Sequence, residues 1–148
     1  MTDTEWAPAL TINGETSYEA KRECKNGFER TLERMDGENL HSLVLWHYPA
    51  DEEFASPDYL DQYLQCAGTA ERLTIEFRYT RSDGTYVHFV LCREEPEGDE
   101  TSAIHPRYPS IQVYPEDVWT AAEAAPIFDY YAREVMIPDW VLGREVDV

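Results

Sequence analysis

Apolar and polar residues alternate most cleanly between positions 73 and 91. Leu73, Ile75, Phe77 and Tyr79 interleave with Thr74, Glu76, Arg78 and Thr80, and Val87, Phe89 and Leu91 continue the alternation after a turn. A period of two over this length predicts a pair of half-buried strands. Loop length then sets the register. A two-residue Asp83-Gly84 loop would place Phe89 opposite Arg78. A three-residue Ser82-Asp83-Gly84 loop instead pairs Tyr79 with Val87, Phe77 with Phe89 and Ile75 with Leu91. The second keeps one apolar face together and leaves Gly84 at the left-handed position such loops need, so it is the register expected here.

The remaining pattern divides into shorter elements. A strand is expected over 6–12, ended by the turn dipeptide Asn13-Gly14. Residues 17–35 carry Tyr18, Cys24, Phe28, Leu32 and Met35 at three- and four-residue steps, which predicts a helix closed near Gly37. Asn26-Gly27 weakens its middle by about 1 kcal/mol relative to Ala. Residues 40–48 are apolar on both alternate faces, Leu43 and Leu45 against Val44 and Trp46, as in a strand covered on both sides. Ser56-Pro57 looks like the start of a short helix, with Tyr59, Leu60, Tyr63 and Leu64 as its stripe and Gly68 at its end. A strand follows over 110–114. Thr120-x-x-Glu123 matches a capping box, although Pro126 predicts a kink or a helix starting near it, with Ile127, Phe128, Tyr130, Tyr131 and Val135 on its apolar side. A last strand is expected over 140–148. The order predicts a single α+β domain over 1–148. Its sheet is mainly antiparallel, of about five strands, with two to three helices packed on one face or on both.

A chain of 148 residues is long enough for one domain burying roughly 68–70% of its unfolded surface. Ten Tyr, four Trp and five Phe exclude a disordered acidic tail, which lacks the large side chains that offset ordering entropy. The cysteines, Cys24 and Cys66 in expected helices and Cys92 in a strand, form no CxxC pair. Each looks like a small buried hydrophobe in a reducing compartment. The start has no basic region followed by an apolar one, and no apolar run approaches 18 residues, so a cytoplasmic location without a membrane span is expected.

Charge changes the picture most. Thirty Asp and Glu against twelve Lys and Arg leave a formal net charge of −18. Such a chain repels nucleic acid and anionic lipid and attracts basic proteins, cations or water. Two clusters stand out: Asp51, Glu52, Glu53, Asp58 and Asp61, and Glu94, Glu95, Glu97, Asp99 and Glu100. Tyr59, Tyr63 and Tyr108 lie near them, and tyrosine beside carboxylates makes a good interface anchor. These thirteen residues are the candidate partner-binding surface.

Catalytic and metal chemistry have less support. The chain has no GxSxG, Walker loop, GxGxxG or HExxH, so nothing specific proposes an enzyme or a cofactor. His41 and His47 stand six apart on one strand, too far to share a metal, and His105 lies in a loop. His88 falls opposite Arg78 in the hairpin and is expected at the surface or lining a groove. The run 94–100 lacks the alternating ligand spacing of a calcium loop, so a solvated loop, and after it a protein-binding one, is the better reading.

The last third carries a further pattern: Ile111-Gln112-Val113-Tyr114-Pro115-Glu116, then Ala121-x-Glu123-Ala124-Ala125-x-x-Phe128-x-x-Tyr131, then Ile137-Pro138 and Leu142-x-Arg144-x-Val146-Asp147. It resembles the immunity proteins of bacterial polymorphic and contact-dependent toxin systems. The resemblance covers about 35 residues with structural motifs and carries over no catalytic residue. It implies a cytosolic inhibitor forming a one-to-one complex with a basic toxin domain and occluding its active site, steered there by clustered carboxylates. Two alternatives differ in class: a halophile-type surface that binds water and salt, and a small ligand-binding or enzymatic domain with a groove near His88 and Tyr114.

Overall fold

A computed structural model describes residues 5–54, 62–97, 103–104 and 112–146. The chain opens with a hairpin, β1 (Trp6–Ile12) and β2 (Thr16–Glu19), turned by Asn13 and Gly14 with positive φ. Two short helices follow, α1 (Lys21–Asn26) and α2 (Glu29–Glu33). Four antiparallel strands then run consecutively: β3 (Ser42–Pro49), β4 (Tyr63–Thr69), β5 (Arg72–Thr80) and β6 (Tyr86–Cys92). Among the described residues, the two-residue strands β7 (Ala103–Ile104) and β8 (Gln112–Val113) pair only with each other. A 3₁₀ turn, Pro115–Asp117, leads into β9 (Val118–Trp119), α3 (Ala121–Glu134) and β10 (Leu142–Val146).

Among the described residues the main sheet has eight strands in the order β10-β6-β5-β4-β3-β1-β2, with β9 beside the first residues of β5. All its pairings are antiparallel. The α+β class and single domain agree with the sequence, but the sheet exceeds the five strands expected. The increase comes from residues assigned elsewhere. β2 occupies the start of the expected 17–35 helix, β4 replaces the end of the expected 56–68 helix, and β9 is too short to show a period. Residues 55–61, the start of that second helix, lie outside the described residues.

One register row shows how the core is built. Leu10, Leu45, Leu64, Phe77 and Phe89 are successive partners across β1, β3, β4, β5 and β6, so five apolar side chains share one face. The Phe77–Phe89 and Tyr79–Val87 pairs are those of the three-residue loop, and Gly84 has φ +89°. Phe28 and Leu32 from the α1–α2 segment, and Ala124, Ile127, Phe128 and Tyr131 from α3, pack onto this face. Each fully buried side chain of this size contributes roughly 1.5–3 kcal/mol. The described helices therefore cover one face. On the other, Trp46 is buried under Phe54, the rings stacked at 6.0 Å.

Two helix expectations are corrected. The 17–35 helix divides at Gly27, whose φ of +92° is a left-handed value that interrupts a right-handed helix. The break also resets the helical phase, so Glu23 is buried and Cys24 exposed, against the expected stripe. Cys66 is buried as expected but in β4, and Cys92 is buried in β6. The helix near Pro126 starts at Ala121. Thr120 and Glu123 cap it reciprocally, Glu123 N–H to Thr120 Oγ1 at 3.2 Å and Thr120 N–H to Glu123 Oε1 at 2.9 Å. Proline there removes one bond in the second turn, while the buried side chains on both sides of it hold the helix through. Of the strand expected over 110–114, the described part is strand only at β8, since Tyr114 already caps the 3₁₀ turn. Of that expected over 140–148 only β10 is strand, since Trp140 and Val141 lie in the turn before it.

Candidate functional site

Antiparallel strands give the sheet two ends, and the topology places the described members of the two acidic clusters on opposite ones. Asp51, Glu52 and Glu53 follow β3 and are exposed, as is Glu5 ahead of β1. The Ala50 N–H to Glu5 carbonyl bond, 2.8 Å, joins these two segments. Glu94, Glu95 and Glu97 follow β6 and are also exposed, beyond the end where β3 begins. The six steps from Tyr86 to Cys92 put about 20 Å between the two ends. Asp58, Asp61, Asp99, Glu100, Tyr59 and Tyr108 lie outside the described residues.

The end after β6 gathers carboxylates that are distant in sequence. Asp36 forms a bridge with Thr69, which places the turn carrying Asp36 and Glu38 beside the β4–β5 turn and Glu71. The N-terminus of α3 meets the same turn through the Ala121 N–H to Ala70 carbonyl bond, 2.7 Å. Arg93 N–H donates to the Glu116 carbonyl at 2.8 Å, and Glu94 and Glu123 line one hollow with Trp119 and Trp140. The result is a surface bearing Glu38, Glu71, Glu94, Glu95, Glu116 and Glu123. The Arg93 guanidinium there is committed to backbone, donating to the Val118 carbonyl at 2.7 Å and the Pro115 carbonyl at 3.0 Å. Among the described residues, no ion pair involves Asp51, Glu52, Glu53, Glu94, Glu95 or Glu97.

That acidic end is fastened by a buried pair. Asp117 is fully buried, and its Oδ2 accepts from Arg144 Nη2 at 2.7 Å and from Tyr114 N–H at 3.0 Å. The Arg144 guanidinium also lies over the Tyr114 ring, 4.8 Å from its centre. The pair ties the 115–117 turn to the edge strand β10.

Tyr63, expected as an interface anchor, begins β4 on the face that the described helices leave uncovered, where its ring and that of His88 meet edge to face with centres 6.2 Å apart. His88 pairs with Arg78 in the register as expected, but it is 6% exposed rather than at the surface, with Nε2 3.2 Å from Glu76 Oε1. Tyr114 lies under the Arg144 guanidinium, and His88 lies against Tyr63. His47 packs on Tyr131 and its Nε2 lies 2.9 Å from the Ala132 carbonyl oxygen; burial pushes its pKa down. Among the described residues, no group of three or more His, Cys, Asp and Glu side chains is placed to hold a metal ion, and no helix is long and apolar enough to cross a membrane.

A groove of about 570 Å³ opens between β1, α1 and α3, lined by Trp6, Pro8, Glu23, Cys24, Gly27, Phe28, Asp129, Ala132 and Arg133. Trp6 is paired with Pro49, which sets the groove beside the Asp51–Glu53 end. Asp129 Oδ1 accepts the Phe28 N–H at 2.9 Å, satisfying the donor exposed by the helix break. Glu23 is 2% exposed and its Oε2 receives two long hydrogen bonds, from Thr31 at 3.2 Å and Tyr18 at 3.3 Å. Burial, and then the Glu23 charge, push the Tyr18 hydroxyl up to about 12. The Cys24 thiol is raised by burial and then by Glu23 and Asp129, so both carboxylates act on the groove. Sequence reading missed these groups because a lone Glu on a helix and an Asp 106 positions later have no shared motif.

No family model matches the chain, and no curated protein or solved structure is significantly similar to it.

Proposed function

We propose that this protein is an acidic protein-binding module that neutralises a basic partner, acting as an immunity protein that occludes the active site of a toxin domain. The observation supporting this reading is the gathering of uncompensated carboxylates at the ends of the sheet, above all Glu38, Glu71, Glu94 and Glu95, which come from three separate connections. A surface of one sign raises the local concentration of a cationic counterpart and its association rate, by about 10–10³-fold at low ionic strength. Glu52 and its neighbours extend the field to the opposite end. The C-terminal sequence resemblance fits the same role.

The test is affinity capture by the intact chain, followed by association kinetics with the purified partner. Glu94→Lys/Glu95→Lys/Glu97→Lys and Asp51→Lys/Glu52→Lys/Glu53→Lys are measured separately. A basic partner whose association slows with added salt and with reversal at one end supports the proposal and identifies the docking end. A neutral or acidic partner, or rates indifferent to salt and to both reversals, overturns it.

A further inference from the structure

We infer that the groove beside Trp6 is a receptor for one arginine side chain of the basic partner, an assignment that rests on the protein-binding reading for the source of that arginine. Two of the residues that line the groove are carboxylates with acceptor capacity left over. Glu23, 2% exposed, has an Oε1 with no hydrogen-bond partner, and Asp129 uses only Oδ1, on the Phe28 N–H. A buried carboxylate oxygen without a donor carries a cost that a charged donor removes. A guanidinium supplies five N–H groups in one plane, enough for both residues at once.

The groove walls suit the same guest. The Trp6 side chain is half exposed at the rim, and an indole face attracts a guanidinium lying over it. Gly27 leaves open space in front of Asp129: a Cβ built there would meet only the two Asp129 carboxylate oxygens, both at 3.8 Å. The chain's own cations leave the demand unmet. Arg133 pairs with Glu134 at 3.1 Å and lies over the Tyr130 ring at 5.5 Å, while Arg22 reaches only Glu23 Oε2, at 3.7 Å. Glu5 and Asp51–Glu53 adjoin the rim through the Trp6–Pro49 pairing, so an approaching cation is drawn toward this end. An arginine seated between Trp6 and Asp129 then fixes the register of the complex, which diffuse surface charge alone does not do.

The experiment titrates the full chain, labelled with ¹⁵N, with N-acetyl-arginine methylamide, using N-acetyl-citrulline methylamide as the uncharged isostere. Saturable shifts at the Trp6 indole N–H and the Gly27 and Phe28 amides are expected with the arginine compound and not with the citrulline one. Asp129→Asn keeps an acceptor for Phe28 N–H and is expected to weaken binding by about tenfold, as is Glu23→Gln. Should Glu23→Gln fail to fold, Asp129→Asn and Trp6→Leu, both at positions nearer the surface, carry the test. Equal shifts from the two compounds, non-saturating shifts spread over both acidic ends, or unchanged affinity in the folded variants overturns the assignment. Because this titration involves no partner, its failure leaves the protein-binding proposal standing. Indifference of the captured partner to charge reversal overturns that proposal and leaves the groove untouched.

Discussion

Replacing Arg144 by leucine tests whether the Asp117 pair holds the acidic end in place. Asp117 is fully buried, and Arg144 supplies its shortest hydrogen bond, 2.7 Å, with 30% of the Arg144 side chain exposed. Removing one partner of a fully buried pair costs about 3–5 kcal/mol because an uncompensated charge stays behind. Partial exposure of Arg144 lets water replace some of what is lost, so about 2–3 kcal/mol is expected here. With a urea m-value of about 2 kcal/mol/M, the midpoint falls by about 1–1.5 M. The cycle is completed in an Asp117→Asn background, where the amide still accepts from Tyr114 N–H but no charge is buried. There Arg144→Leu is expected to cost at least about 1 kcal/mol less. An equal cost in both backgrounds, or a loss under about 0.5 kcal/mol in the parent, refutes the reasoning.

Three further outcomes follow from the same structure. Burial lowers the His47 pKa, so the folded chain binds fewer protons than the unfolded one. The stability held above the ordinary histidine value of about 6.5 is lost as pH falls through the lowered folded value, and denaturation of His47→Phe across pH 5–8 is expected to show a flatter profile. Gly84→Ala forces a side chain onto φ +89° and is expected to cost about 1–2 kcal/mol without moving the Phe77–Phe89 pairing, read by thermal melts and cross-strand nuclear Overhauser effects. Thiol labelling of the native chain is expected to modify Cys24 first, since it is the exposed cysteine of the three. Equal rates at Cys66, whose thiol is buried and held strongly protonated, count against the packing described.

The hairpin from Leu73 to Leu91 was legible because its alternation and its Ser82-Asp83-Gly84 loop agree, and a one-residue slip would turn Phe77 and Phe89 out of the core. β1 and the Thr120–Glu123 capping box were legible for a similar reason: the signal sits within a few adjacent residues. β4 was misread because Tyr63-Leu64-Gln65-Cys66 satisfies a helical stripe and a strand alternation alike. Its position between β3 and β5, where Leu64 meets both Leu45 and Phe77, decides between the two. Asp51–Glu53 and Glu94–Glu97 could be read as charge runs, but not that they occupy opposite ends of the sheet.

The sequence by itself determined the class of the fold, the hairpin register and the large anionic surplus, because periodicity, turn chemistry and net charge are properties of neighbouring residues or of simple sums. Tertiary structure alone decided that Glu38, Glu71, Glu94 and Glu116 share one end, and that Glu23 and Asp129 line one groove. Those groupings depend on strand order and on the break at Gly27, which bring together side chains that no local pattern along the chain relates.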